Sequence, residues 1–162
     1  MENFNMAKSF TLIEILIVTS LIIVMSGTSL AIFSSYRDDK VLDNQVTLLK
    51  STIEMAMSKA VAGDVSLCSD NTNAHVNGYT VLVDSTDITT LPGCDTNPTP
   101  IKSAIPQNIS YVTPTFSLSF GNMNYQGETR VFPIKNKDTG KCKFVQISET
   151  GVVTSGNYTP CP

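Results

Sequence analysis

The sequence predicts an α+β fold: one long N-terminal helix, half membrane-embedded and half amphipathic, packed on a small antiparallel β-sheet. Three observations carry this expectation. An apolar run fills residues 10–33, an apolar stripe spaced by three and four continues from Leu42 to Ala60, and from Val65 onward the hydrophobic period drops to two.

Residues 1–9 form a short polar leader that closes on Lys8 and Ser9. With Met6 as the start, the leader shortens to Met-Ala-Lys-Ser. Residues 10–33 follow with a single charge, Glu14. A helix of that length spans roughly 36 Å, against a hydrocarbon core of about 30 Å. Residues 10–33 are therefore expected to be a transmembrane and assembly segment, with residues 34–162 as the extracytoplasmic part. A carboxylate inside such a segment costs about 2.5–3.5 kcal/mol at mid-helix and less near the interface, which marks Glu14 as a functional residue.

Past the apolar run, Leu42, Val46, Leu49, Ile53, Met57 and Ala60 make one stripe of an amphipathic helix over residues 34–62. Asp43, Gln45, Lys50, Glu54 and Ser58 fall on its other faces. Gly63-Asp64 supplies a stop, with Lys59 in the last turn to suit the helix C-terminal dipole. The predicted helix is about 53 residues and roughly 80 Å long. Its weak point is Ser26-Gly27-Thr28-Ser29, which reads either as a small-residue packing patch or as a place where the helix loosens.

Six short strands are predicted next, over 79–83, 109–112, 115–120, 130–135, 142–148 and 152–154. Asn136-Lys137-Asp138-Thr139-Gly140 is a hairpin turn, and Glu149-Thr150-Gly151 turns again. Pro133 has no N–H to donate, so its strand is expected at an edge or a bulge.

Composition bounds the function. The 162 residues carry a net charge of −3, with no basic excess, so strong nonspecific nucleic-acid binding is not implied. No Gly-rich phosphate loop, HExxH string or GxSxG elbow occurs. The one histidine, His75, sits in a polar stretch with Asp70, Asn71 and Asn73 that does not match a calcium-loop spacing. The chain is thus expected not to be an enzyme and to need no cofactor or metal.

The string Ser9-Phe10-Thr11-Leu12-Ile13-Glu14 closely resembles the processing and assembly motif of type IV pilins and type II secretion pseudopilins. Family members usually carry Gly where Ser9 stands. The resemblance implies a pilin-like fold and cleavage between Ser9 and Phe10 by a prepilin peptidase. It further implies N-methylation of Phe10 and an assembly role for Glu14, the fifth mature residue. Residues around 120–154 are loosely similar to FimT/GspH-type minor pilins. The implied partners are other pilin subunits, the peptidase and the inner membrane, with the N-terminus inside and a periplasmic or cell-surface filament as destination. Two simpler readings of the N-terminus stand beside this one. It is either a secretory signal, with 29–31 as a cleavage site, or a plain anchor of an unassembled domain.

Cys68, Cys94, Cys142 and Cys161 all fall in the exported half, where an even count favours disulfides over a zinc site. Four cysteines allow three pairings, and local closure favours Cys68–Cys94 with Cys142–Cys161. Lys135, Lys137, Lys141 and Lys143 cluster on one hairpin. They either keep a sheet edge soluble or contact DNA phosphates, as some FimT-like minor pilins do.

Overall fold

The computed structural model describes residues 10–68, 76–94, 98–113, 115–121, 125 and 127–161. The chain divides into two compact units, Met1–Arg37 and Asp38–Pro162. Helical backbone (α1) covers Leu12–Ala62. Along it the side chains of residues 12–26, 33 and 36–62 are described.

In the first unit the helix opens on Thr11, whose carbonyl accepts from the amides of Glu14 and Ile15 at 3.0 and 3.2 Å. From residue 12 to 26 its apolar side chains point outward all round. The embedded hydroxyls satisfy themselves locally: Thr19 donates to the Ile15 carbonyl at 3.0 Å, Ser20 to Ile17 at 2.8 Å and Ser26 to Ile22 at 2.7 Å. Such back-bonding hides a polar donor on an otherwise greasy surface.

The predicted fold class requires correction. Among the described residues no helix is long and apolar enough to cross a membrane. The strands, moreover, do not make one small sheet. They make two antiparallel sheets of four strands each.

In the second unit these strands are β1 (Val76–Val83), β2 (Asp87–Cys94), β3 (Ile101–Ala104), β4 (Ile109–Tyr111), β5 (Phe116–Phe120), β6 (Arg130–Asn136), β7 (Cys142–Ile147) and β8 (Val153–Asn157). One sheet has the order β3-β2-β1-β5 and the other β4-β6-β7-β8. Strands β2 and β3 escape the period-two reading for a physical reason. The buried positions of β2 are Ile88, Thr90 and Pro92, so its inward face does not look apolar, and β3 is an exposed edge of Ile-Lys-Ser-Ala. A second split follows from chain geometry: β5 pairs with β1, while β4, its predecessor, pairs with β6.

The helical stripe meets both sheets. Leu42, Leu49, Ile53, Ala56 and Ala60 are at most 1 % exposed. They share one core with Tyr79, Val81, Ile88 and Leu118 from the first sheet and Ile134, Val145 and Ile147 from the second. Ala56 takes the inner place predicted for Met57, which is only half-buried. Phe116 of β5 stacks on Phe132 of β6 at 4.2 Å between ring centroids, joining the two sheets. Offset aromatic pairs add about 0.5–1.5 kcal/mol beyond the area they bury.

Gln45, expected on an outer face, is buried and donates to the Tyr111 hydroxyl at 2.9 Å. A buried amide needs a partner, and β4 supplies one across the seam. Burial pushes the Tyr111 hydroxyl up to about 12, so it stays neutral and accepts. Pro133 also departs from expectation, because β6 is an interior strand. The Pro133 carbonyl accepts from the Val112 amide at 3.1 Å, which aims its donorless nitrogen toward β4. Strand β4 ends at Tyr111 opposite Ile134, so no ladder bond is missed there.

Two glycines are required by their backbone. Gly63 ends the helix at φ +61°, in open space. Gly78 sits at φ +136° in the β1 irregularity, where a Cβ would lie 2.0 Å from the Phe120 carbonyl oxygen. Gly78→Ala is expected to lower stability by about 2–3 kcal/mol from clash and strain together. Gly63→Ala, with strain alone, should cost about 1 kcal/mol. Urea unfolding of the two variants checks the difference.

Beyond Gly63 the helix end is clasped by Asp64. Lys59 pairs with its carboxylate, the Ser66 amide donates to it at 2.8 Å, and Tyr79 donates to its carbonyl at 2.6 Å. The Lys59 contact and then the Ser66 amide hold the carboxyl down to about 2. A carboxylate held low stabilises the fold above its ordinary value of about 3.9 and loses that contribution as pH falls toward 2. Asp64→Asn should therefore be less stable than the parent at neutral pH. The two unfolding curves should converge between about pH 4 and pH 2.

Candidate functional site

The motif residues lie in the first unit. Ser9 falls outside the described residues, as do His75, Asp70, Asn71 and Asn73. Phe10 is 73 % exposed, and every side chain from 10 to 26 is open to the surroundings. Leu12, Ile13, Ile15, Leu16, Ile17 and Val18 are each at least half exposed. A surface of that kind is unstable in water and seeks apolar cover. Glu14 is its single ionisable group, about 6 Å along the axis from Phe10. The arrangement can bury the apolar row against similar helices, and it then needs a cation to meet the carboxylate.

The cysteines pair as Cys68–Cys94 and Cys142–Cys161, with Cα separations of 6.0 and 5.5 Å. All four sulfurs are used, which leaves none for a zinc ion. The first bridge ties the segment after the helix to the end of β2. Beside it Cys68 bridges to Pro98 in a short backbone pairing. The second bridge fixes the C-terminal tail to the start of β7.

The four hairpin lysines do not form a free patch. Lys137 donates to the Gln107 carbonyl at 2.8 Å, Lys141 pairs with Asp39 at 2.6 Å, and Lys143 pairs with Asp43. Lys135 lies half-buried on β6. A DNA phosphate would have to displace acceptors that belong to this chain. Asp39 and Asp43 were not singled out from sequence. Two acids four apart on a helix facing a lysine hairpin are the signal that finds them. Together with Tyr158 and Cys161 these pairs line a cavity of about 480 Å³. Among the described residues no group of three His, Cys, Asp or Glu side chains could hold a metal ion.

Comparison with protein-family models, with curated proteins and with solved structures finds no match for this chain.

Proposed function

We propose that this chain is a structural subunit of an exported filament of the type IV pilus or secretion pseudopilus kind. The observation that carries the reading is the uncovered apolar surface of residues 10–26 with Glu14 as its only charge, directly after Ser9-Phe10. On this reading the precursor is held at the inner membrane through its apolar run, with its N-terminus inside, and a prepilin peptidase cuts between Ser9 and Phe10. Cleavage creates an amine on Phe10, and the amine of one subunit meets Glu14 of the next as the apolar surfaces bury each other. Attraction between the two charges is strong once water is excluded. The disulfide-stapled unit of residues 38–162 forms the outer part of the filament, consistent with the oxidising compartments where such bridges persist. The subunit acts by packing and carries out no chemistry.

Mass analysis of the N-terminus in the sheared filament fraction tests this. The expected species begins at N-methylated Phe10. A chain that retains residues 1–9, or that never enters the filament fraction, defeats the proposal.

A further inference from the structure

We propose a second site, independent of filament assembly: a pocket on the exposed face of the β3-β2-β1-β5 sheet that takes an acidic sugar, its carboxylate on Arg130. The register sets up the face. Outward residues align across the strands, with Thr80 opposite Ser119 in one row and Lys102, Thr89, Leu82 and Ser117 in the next. The hydroxyls of Thr80 and Ser119 lie 3.1 Å apart, and Ser117 and Ser119 are exposed. At the β5 edge the two serines open onto a cavity of about 330 Å³ bounded by Tyr125, Gly127 and Arg130. The Tyr125 hydroxyl donates to the Glu128 carbonyl at 2.8 Å, which ties the ring to the chain just before Arg130.

Arg130 is exposed, and among the described residues no carboxylate pairs with it. A planar guanidinium offers a fork of donors matched to a carboxylate, and its hydrogen bonds to an anion are about twice as strong as neutral ones. Serine and threonine hydroxyls both donate and accept, which suits the vicinal hydroxyls of a sugar ring. Leu118 and Tyr125, which line the same cavity, give the ring's C–H face an apolar rest. Cation, hydroxyl row and small apolar patch thus match the three parts of a uronic acid. A bare anion would use only the first of them.

The test is a chemical-shift titration of the full-length chain in an amine-oxide detergent, with D-glucuronate, D-glucose and inorganic sulfate as separate probes. D-glucuronate is expected to move the amide resonances of Ser117, Ser119 and Arg130 at millimolar concentration. Glucose, which lacks the carboxylate, and sulfate, which lacks the ring and its hydroxyls, should each bind at least about tenfold more weakly. Arg130→Gln should abolish saturation, and Arg130→Lys, which keeps the charge without the fork, should restore only part of it. Absence of shifts with D-glucuronate overturns the proposal, as does binding that Arg130→Gln leaves unchanged. Equal binding of sulfate and D-glucuronate overturns the sugar assignment.

Discussion

If the chain assembles as proposed, Glu14→Leu is expected to remove it from the filament fraction while leaving its folded unit intact. The Glu14 side chain is exposed, and among the described residues its carboxylate makes no hydrogen bond or ion pair. Folding therefore does not depend on it, and exposed helix substitutions between good helix formers fall within about 0.5 kcal/mol. Assembly is different. Once neighbouring apolar surfaces exclude water, an amine left without its carboxylate costs several kcal/mol, and each 1.4 kcal/mol is about tenfold in an equilibrium. Leu in place of Glu adds apolar area, so hydrophobic packing alone would predict better assembly, not worse. The opposite signs make the experiment decisive. Immunoblots of sheared filaments against membranes should show at least a tenfold loss, with unchanged urea unfolding of the second unit. Assembly of the Leu variant at the parent's level would refute the pairing.

Ile53→Ala is expected to cost about 2–5 kcal/mol, the largest loss from any single side chain considered. Ile53 is wholly buried and sits mid-stripe between Leu49 and Ala56, where the helix meets both sheets. Neither sheet can readily move in to fill the space, because the stacked rings of Phe116 and Phe132 tie the two together. Against a total stability of about 5–15 kcal/mol, that loss endangers the fold. Ile53→Val should cost about 0.5–1.5 kcal/mol. Glu54→Ala, one position on and outward, removes only an exposed pair with Lys50 at 3.9 Å and should change stability by less than about 0.5 kcal/mol. Urea midpoints for the three variants give the ordering.

The sequence disclosed what periodicity can disclose. Leu42, Val46, Leu49 and Ile53 were legible because four apolar residues at helical spacing seldom arise except on the buried face of a helix. Six strands were legible where Val, Ile, Phe or Tyr alternate with polar residues. Strand β2 was not, since a strand that buries Thr90 and Pro92 carries no alternation of hydrophobicity. Gln45 misled for a related reason: its burial depends on Tyr111, 66 residues away, and no local pattern encodes that meeting. In the second site, Ser117 and Ser119 announced a strand, yet Arg130 joins them only through the fold.

The sheet orders bear on how such a chain is made. Strands β6, β7 and β8 pair in succession, so that sheet largely assembles from near neighbours in sequence. Strand β1 must instead wait for β5, with three other strands synthesised between them. Contacts between distant segments form slowly, since a long loop has to close first. The helix stripe emerges before either sheet exists to cover it. During synthesis Leu42, Leu49 and Ile53 are therefore only partly covered until the second sheet, in the last third of the polypeptide, arrives. Until then that stripe keeps exposed apolar surface, open to contact with other chains.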